Sequence, residues 1–248
     1  MDKLVIVTGA SRGIGAAIAY RLAEQGYWVG CISRSGTLPQ VQGDDAAVME
    51  RCLACAADVT DEQALRKAIA DLAGRGIPLA GLVNNAGFHV EHRSATMPMG
   101  EWRATMVANA DAVVIGCQAA YPFFKEAGGG LIINIGSFFD KLGVRKNLAY
   151  CASKAAVGSI TRVLGVEWAR DCISVLNIAP GFVLTDLNRA DWDKPGGALR
   201  PYIEQRVPYG RPGMPDDIAA LAVSLFAMPT AFLTGETIYI DGAQALVA

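Results

Sequence analysis

Histidine is scarce in this 248-residue chain, which contains only two, His89 and His92. Zinc sites usually combine several histidine or cysteine ligands at fixed spacings. Cys52 and Cys55 form one C-x-x-C pair, but neither a second pair nor a group of histidines accompanies it. We therefore predict no metal site, and we assign this pair to core packing rather than to metal or redox chemistry.

The chain also lacks a strong net charge and a long apolar run. Its 22 Lys and Arg residues nearly balance its 24 Asp and Glu residues, so no overall field favours nucleic acid or an anionic membrane. The longest apolar stretches, such as residues 218–228, fall short of the ~20 residues that span a bilayer. We therefore expect a small-molecule ligand, with neither nucleic acid nor a membrane as partner.

We expect no secretion signal either. Four apolar residues, 4–7, precede Thr8 and Gly9, and this run is too short for the core of a signal peptide. The six cysteines are scattered along the chain, and a chain of this length does not need disulfides to fold. We therefore expect reduced thiols and a cytoplasmic protein.

Short β-branched runs alternate with longer helical patterns along the chain. Hydrophobic residues make up 52% of it, and each run is apolar on both faces, as a parallel sheet covered by helices requires. This predicts a single α/β domain over residues 1–248, a Rossmann-type doubly wound parallel sheet of about seven strands with helices on both faces. The predicted strands are 4–8, 28–33, 53–57, 81–84, 131–135, 173–178 and 237–240, and the predicted helices include 14–25, 61–73 with Thr60 as N-cap, and 148–168.

A glycine-rich turn follows the first predicted strand. It reads Thr8-Gly9-Ala10-Ser11-Arg12-Gly13-Ile14-Gly15 and leads into a helix. In a dinucleotide site, Gly9 would permit the tight turn, Gly13 the approach of a pyrophosphate, and Gly15 the packing of helix on strand. The helix N-terminus would face the anion. The alternative is an ordinary strand-to-helix turn, in which three glycines would only weaken the helix.

The end of the second predicted strand favours NADP(H) over NAD(H). An NAD site normally places a carboxylate there, against the ribose 2′-hydroxyl. This chain reads Ser33-Arg34 instead. Without a carboxylate to repel a 2′-phosphate, Arg34 and Arg12 could bind it through charge-assisted hydrogen bonds. The alternative is that both arginines are solvated surface charges.

A tyrosine and a lysine four residues apart are the candidate catalytic pair. Tyr150 and Lys154 share one face of the helix predicted over 148–168. Because an ammonium lowers the pKa of a neighbouring phenol, we expect Tyr150 to act as a general acid or base near neutral pH. Ser137 follows the fifth strand, where its hydroxyl can bind a carbonyl or alcohol oxygen. Taken alone, such a Tyr-Lys pair is more often a surface feature.

Together these motifs resemble the short-chain dehydrogenase/reductase family over essentially the whole chain. The likeness is nearest to 3-oxoacyl-acyl-carrier-protein reductases and related ketoreductases. Leu176 departs from the family pattern, which commonly has Asn at this position before Pro-Gly, and Phe138-Phe139 is bulkier than usual. The matching residues are Thr8 to Gly15, Asp58-Val59, Asn84-Asn85-Ala86-Gly87, Asn109, Ser137, Tyr150 to Lys154, Pro180-Gly181 with Thr185, and Asp241-Gly242.

The resemblance implies an NADPH-dependent oxidoreductase that reduces a ketone to a secondary alcohol, with Tyr150 as the proton donor. Ser137 would orient the substrate oxygen, Lys154 would hold the nicotinamide ribose and tune Tyr150, and Asn109 would hold a water that links Lys154 to solvent. A homotetramer is implied as well. The implied cofactor residues are Gly9, Ser11, Arg12, Gly13, Ile14, Gly15, Ser33, Arg34, Asp58, Val59, Asn85, Ala86, Gly87, Tyr150, Lys154, Pro180, Gly181, Val183 and Thr185.

The substrate stays open beyond a ketone or secondary alcohol. A segment of about residues 184–213, rich in Pro, Gly, Arg and Trp, is predicted to lie over the carboxyl ends of the strands, where ligands bind. Alternatives are a dehydrogenase that oxidises a sugar alcohol, a steroid or a similar alcohol, and a non-catalytic NADP-sensing protein. Predicted loops carry aromatic residues for an apolar pocket (Phe88, Phe138, Phe139, Trp192, Tyr202) and cations that could meet an acyl carrier protein or coenzyme A tail (Arg189, Lys194, Arg200).

Overall fold

The computed structural model describes residues 2–228 and 232–247. This part of the chain forms a seven-stranded sheet in the order β3-β2-β1-β4-β5-β6-β7, and all six pairings are parallel. The predicted doubly wound parallel sheet is therefore confirmed. The strands are β1 (Leu4–Thr8), β2 (Trp28–Ser33), β3 (Cys52–Ala56), β4 (Leu79–Asn84), β5 (Gly130–Ile135), β6 (Ile173–Pro180) and β7 (Thr237–Ile240).

Helices connect these strands and cover the sheet. They are α1 (Gly13–Glu24), α2 (Ala46–Met49), α3 (Glu62–Ala73), α4 (Met99–Met106), α5 (Ala112–Ala127), α6 (Leu148–Glu167), α7 (Asp186–Trp192), α8 (Leu199–Arg206) and α9 (Pro215–Ala227). The predicted helix over 61–73 begins one residue later than expected, and its N-cap is Asp61 rather than Thr60. The Asp61 carboxylate accepts from the backbone N–H of Ala64 at 3.0 Å, whereas the Thr60 hydroxyl donates to Asp58 at 2.7 Å.

Both faces of the sheet are apolar. Along β1, Val5 and Val7 pack with α1 and α9 on one face, and Leu4 and Ile6 pack with α3 and α5 on the other. All four side chains are fully buried, which stabilises the fold by roughly 1.5–3 kcal/mol for each of them. Because successive residues of a strand point to opposite faces, an uninterrupted apolar run is what a sheet between two helical layers requires.

The long connection between β4 and β5 contains a break in its helix. A π-helical turn, Val107–Asp111, joins α4 to α5. Such turns widen a helix locally and frequently occur at functional sites. Here the turn carries Asn109, which is 1% exposed. The family resemblance implied a helix near Asn109, but the bounds of α4 and α5 were not predicted from the sequence.

The segment 184–213 is helical where loops were expected. Trp192 ends α7 and Tyr202 lies within α8, so their predicted placement in loops is wrong. Local contacts explain these helices: the Asn188 amide accepts from the N–H of Thr185 at 2.8 Å, and Arg200 donates to Glu204 one turn on. Phe138 and Phe139 also differ from the expectation, because they begin a 3-10 turn, Phe138–Lys141. Phe88 lies in a loop, as predicted.

Candidate active site

The glycine turn after β1 needs glycine for two different reasons. Gly9 and Gly13 have φ angles of 65° and 60°, in the left-handed region that only glycine adopts without strain. At Gly15 the reason is space, because a Cβ there would lie 2.3 Å from the carbonyl oxygen of Gly9. The bare backbone at the N-terminus of α1 therefore remains open to an anionic group.

The end of β4 holds this turn in place. The Asn85 side chain donates to the carbonyl oxygens of Thr8 at 3.0 Å and Gly9 at 3.2 Å. In return, the Thr8 hydroxyl accepts from the backbone N–H groups of Asn85 and Ala86. The Asn85 side chain is therefore engaged with the turn itself, and its expected place beside the cofactor is indirect.

Three hydroxyl groups, of Ser33, Ser35 and Thr37, form a row at the end of β2, where Arg34 lies between the first two in the sequence. The hydroxyl of Ser33 lies 3.3 Å from that of Ser35, which lies 2.8 Å from that of Thr37. Arg34 is exposed. Hydrogen bonds from Thr60 lower the pKa of Asp58, and the positive charge of Arg34 lowers it further. Sequence reasoning missed Ser35 and Thr37, although their closeness to Arg34 in the sequence was a usable signal.

The segment after β6 reaches the same turn from the other side. A Cβ on Gly13 would lie 3.7 Å from the Cγ2 of Thr185, so the two predicted cofactor residues are neighbours. An isolated parallel β-bridge joins Val183 to Gly213. It brings together the two ends of the segment that contains α7 and α8. Gly181 cannot carry a side chain, because a Cβ there would lie 2.7 Å from the Cα of Asp241.

The remaining predicted cofactor residues divide between surface and core. Arg12 is exposed and caps the N-terminus of α1 with its backbone, while the backbone carbonyl oxygen of Ser11 accepts from the N–H of Gln40 at 2.9 Å. Ile14 and Val59 are partly buried and pack against the two cores. Of these four residues, Arg12 has an exposed polar side chain, whereas Ile14 and Val59 contribute to the packing of the two cores.

Ser137, Tyr150 and Lys154 come together beyond the carboxyl end of β5. Ser137 and Lys154 are each 6% exposed. The Lys154 ammonium donates to the carbonyl oxygen of Ile135 at 2.8 Å and lies 5.7 Å from the centre of the Tyr150 ring. The three side chains predicted to be catalytic thus share one site, positioned by the end of β5 and the first turns of α6.

The protonation of Tyr150 differs from the expectation. Burial raises the pKa of the Tyr150 phenol, and a hydrogen bond with Ser137 lowers it in part. Burial lowers the pKa of Lys154 from 10.5 to about 8. The pKa of the phenol is therefore raised, opposite to the predicted direction, because desolvation of the ionised form is the largest cause of the shift. The phenol stays protonated near neutral pH.

Asn109 holds the loop after β4 against α6. Its amide nitrogen donates to the Phe88 carbonyl at 2.9 Å and to the Ser153 hydroxyl at 3.1 Å, and its amide oxygen accepts from the N–H of Phe88. A Cβ on Gly87 would lie 2.8 Å from this oxygen and 3.8 Å from the Lys154 nitrogen. Asn109 and Lys154 are therefore close neighbours across Gly87.

Aromatic rings surround Tyr150. The Phe139 ring lies 5.9 Å from the Tyr150 ring and the His89 ring lies 4.8 Å from it, both nearly perpendicular to it. Phe138 packs against Phe139 at 4.6 Å. Of the five predicted aromatic residues, Phe139 thus lies beside the phenol and Phe138 packs behind it. The position of His89 beside Tyr150 was not predicted, because a single histidine in a loop belongs to no sequence motif.

Leu176 stands where the family commonly has Asn, and in this chain the asparagine is the next residue, Asn177. Leu176 is buried in the core, whereas Asn177 stands in register with Asn134 of β5, which in turn pairs with Asn84 of β4. The Asn177 amide donates to Thr237 at 3.1 Å, and its oxygen has no hydrogen-bond partner among the described residues. A Cβ on Gly136 would lie 2.5 Å from that oxygen, so Asn177 packs directly beneath the residue before Ser137.

These residues fit a dinucleotide cofactor. The glycine turn exposes backbone at a helix N-terminus, and hydroxyl and guanidinium groups lie at the end of β2. Ser137, Tyr150 and Lys154 lie beyond the carboxyl end of β5, at the same end of the sheet, where doubly wound proteins bind their ligands. Within residues 2–228 and 232–247, no three His, Cys, Asp or Glu side chains gather as a metal site would need. None of the described helices is long and apolar enough to cross a membrane.

The fold and the site define an NAD(P)-dependent oxidoreductase acting on alcohols and ketones. The chain belongs to the short-chain dehydrogenase family, whose model matches residues 3–196. It is 32% identical over 247 residues to the NAD-dependent glycerol dehydrogenase of Listeria innocua, covering 99% of this chain and 94% of that protein.

Two further proteins show the breadth of the family around this chain. The 3-oxoacyl-acyl-carrier-protein reductase of Vibrio cholerae is 34% identical over 252 residues, with 99% of this chain and 98% of that protein covered. A gluconate 5-dehydrogenase from Burkholderia cenocepacia, solved in complex with NADP and tartrate, is similar with a TM-score of 0.85 at 30% identity. That similarity covers 99% of this chain and 96% of the other. The relatives therefore differ in cofactor and in substrate.

Proposed function

We propose that this protein reduces a ketone to a secondary alcohol with NADPH, using Tyr150 as the proton donor. The observation that carries this proposal is the cluster of half-buried Tyr150 with buried Ser137 and Lys154, at the same end of the sheet as the glycine turn. A phenol whose pKa is raised by burial is in the protonated form that reduction requires. The experiment that tests the proposal is a panel of ketones and secondary alcohols, assayed with NADPH, NADH and both oxidised cofactors.

Each side chain has a separate role in the proposed reaction. The nicotinamide supplies hydride when bound. Ser137 donates a hydrogen bond to the carbonyl oxygen and orients it, while Tyr150 gives its hydroxyl proton to that oxygen as negative charge develops. Lys154 holds the nicotinamide ribose and, as a cation, stabilises the phenolate that remains. Asn109 lies next to Lys154, where the second lone pair of its oxygen can hold a water that returns a proton from solvent.

NADPH preference is proposed from Arg34 and the neighbouring hydroxyl groups. Arg34→Ala is expected to weaken NADPH binding by about 10- to 100-fold, since a charged hydrogen bond contributes about 1.5–3 kcal/mol. NADH lacks the 2′-phosphate, so its affinity should change little. Titration of both cofactors into wild type and variant measures this difference.

Two further variants sharpen that titration. Arg75→Ala is the matched control, because Arg75 follows the C-terminal end of α3, at the opposite edge of the sheet from the glycine turn. Ser33→Asp should shift the preference towards NADH by adding a carboxylate against the phosphate. Equal binding of NADH and NADPH by the wild type would remove the basis for this assignment.

Alcohol oxidation is the second candidate. Two similar proteins are named as dehydrogenases, of glycerol and of gluconate. Their names support a polyol or a sugar acid as the substrate of this chain. In that direction Tyr150 would have to act as a base, and burial disfavours its ionised form. The same substrate panel decides the direction, and a complete lack of turnover with cofactor bound would favour a non-catalytic NADP-sensing protein.

A homotetramer is the proposed assembly. Helix α6 turns Ser153 and Lys154 inward, yet Val163 and Val166 are 50% and 79% exposed on its outer side. Exposed apolar residues on a helix that is buried on its other side mark an interaction surface, and pairing of α5 and α6 across two-fold axes would cover it. Light scattering at micromolar concentration should give four times the mass of one chain, and a monomeric mass would refute the assembly.

The proposed partners beyond the cofactor are small carbonyl compounds in the cytoplasm, where reduced thiols are expected. All six cysteines are free thiols in the structure. An acyl-carrier-protein or coenzyme A substrate would need cations beside the site. Arg200 is engaged by Glu204 and Trp192, which leaves Arg189 and Lys194 of the three candidates for that contact.

A further inference from the structure

The His89 side chain is fixed beside the proposed proton donor. Its ring lies 4.8 Å from the Tyr150 ring at an angle of 77°, and its Nε2 is hydrogen-bonded to the side-chain oxygen of Asn147. Asn147 is 3% exposed, whereas His89 is exposed. One end of the imidazole is therefore anchored in the protein while the residue itself borders the open site.

The hydrogen bonds around Asn147 define the tautomer of His89. The Asn147 amide nitrogen donates to the carbonyl oxygen of Arg145 at 2.9 Å, which fixes the other atom of the amide as an oxygen. That oxygen can only accept, so Nε2 of His89 must carry the hydrogen. In the neutral imidazole, Nδ1 then has a free lone pair and acts as an acceptor. Nδ1 has no hydrogen-bond partner in the part of the chain that the structure describes.

The backbone around this pair is also held in an unusual conformation. Lys146, next to Asn147, has a φ angle of 66°, which is uncommon for a residue other than glycine. Its carbonyl oxygen accepts from the backbone N–H of His92 at 2.8 Å. Two hydrogen bonds thus join the loop that follows β4 to the loop that precedes α6. Strained backbone held by such contacts often occurs where a site must be pre-organised.

We propose that His89 is a substrate-orienting residue that accepts a hydrogen bond from a hydroxyl group on the carbon next to the reacting carbonyl. The substrate class is therefore an α-hydroxyketone, and the product is a vicinal diol. This inference rests on the proposed reduction, because it takes the reacting oxygen to lie at the hydroxyl groups of Tyr150 and Ser137. A hydroxyl on the adjacent carbon then lies on the His89 side of the phenol, whereas Phe139 offers only an apolar surface.

The test compares two substrates that differ by a single hydroxyl, hydroxyacetone and acetone. In the wild type, hydroxyacetone should have the higher kcat/KM, by about 3- to 10-fold for one neutral hydrogen bond. His89→Phe keeps an aromatic ring against Tyr150 but removes both nitrogens, so the ratio of kcat/KM for hydroxyacetone to that for acetone should fall by about 3- to 10-fold. His89→Asn restores an acceptor close to the place of Nδ1 and should recover part of the preference. His92→Phe is the matched control, because His92 is half-buried and its hydrogen bond to the opposite loop comes from its backbone N–H.

The outcomes separate the two proposals. If the wild type reduces ketones but shows no preference for hydroxyacetone, or if His89→Phe lowers both substrates equally, the role of His89 is wrong and the reductase function stands. If His92→Phe removes the preference as His89→Phe does, the effect belongs to the loop and the role of His89 is again wrong. If the wild type reduces no ketone with either cofactor, the proposed function itself fails.

Discussion

Tyr150→Phe is expected to lower the turnover of any accepted ketone by at least about 10²-fold, and by up to about 10⁴-fold, the usual contribution of general acid catalysis. The variant lacks only the hydroxyl, so the ring can keep its contacts with His89 and Phe139. Lys154 and the glycine turn are unchanged, and NADPH should therefore still bind. Single-turnover rates measured with cofactor fluorescence separate the chemical step from binding.

The control for this variant is Tyr121→Phe, which also removes one phenol hydroxyl. Tyr121 donates to Asp171 at 2.7 Å and packs on Trp168, just past the far end of α6. That end lies about 27 Å from Tyr150 along the helix axis, so turnover should not change. Near wild-type turnover in Tyr150→Phe would disprove the assignment of the proton donor and the mechanism built on it.

Lys154→Met is expected to have opposite effects on activity and on stability. Turnover should fall by at least about 10²-fold, and NADPH binding should weaken, because the ammonium serves both the ribose and the phenol. The cofactor-free protein, however, should become more stable near neutral pH. Burial lowers the pKa of Lys154 from 10.5 to about 8, so its charge costs the folded state roughly 3 kcal/mol. The lost hydrogen bond to Ile135 offsets about 1 kcal/mol of this gain.

The difference in stability between wild type and Lys154→Met should depend on pH. Below about pH 8, Lys154 is charged in both the folded and the unfolded chain, and the wild type carries the whole desolvation penalty. Between about pH 8 and pH 10.5 the unfolded chain binds more protons than the folded one, so wild-type stability rises with pH relative to the variant. Above that window the charge penalty is gone. Urea unfolding of both proteins across these pH values measures the difference.

The exposed Lys67 supplies the control for Lys154→Met. Its side chain is 75% exposed and bonded to Asp71, so Lys67→Met should neither reduce turnover nor stabilise the protein below about pH 8. Equal stability curves for wild type and Lys154→Met over the whole range would show that the ammonium is not held buried and charged in the cofactor-free protein.

The sheet was predictable because its signals are local. Apolar runs such as 4–8, 28–33 and 237–240 carry β-branched residues on both faces, and the structure has strands with these bounds. The glycine turn could also be predicted, because glycines at 9, 13 and 15 are typical of a turn whose backbone must approach a phosphate closely. The order of motifs from Thr8 to Thr185 was enough to identify the family, which the match over residues 3–196 confirms.

The π-turn at Asn109 and the helices α7 and α8 were not predictable in the same way. Their sequences carry weak periodicity, and their conformation depends on contacts with residues distant in sequence, such as the hydrogen bonds of Asn109 to Phe88 and Ser153. Helices of this length are marginal by themselves and are stabilised mainly by tertiary packing.

The sequence by itself determined the fold class, the family and the residue types that carry the chemistry, because periodicity, glycine positions and motif order are properties of neighbouring residues. Only the tertiary structure decided the protonation of Tyr150, because burial is a sum over side chains from several elements and here raises the pKa of the phenol. It also decided the place of His89, which reaches Tyr150 because two loops nearly 60 residues apart meet at Asn147. The pKa of a group and the neighbours of a loop residue depend on distances in space, and a linear sequence does not contain them.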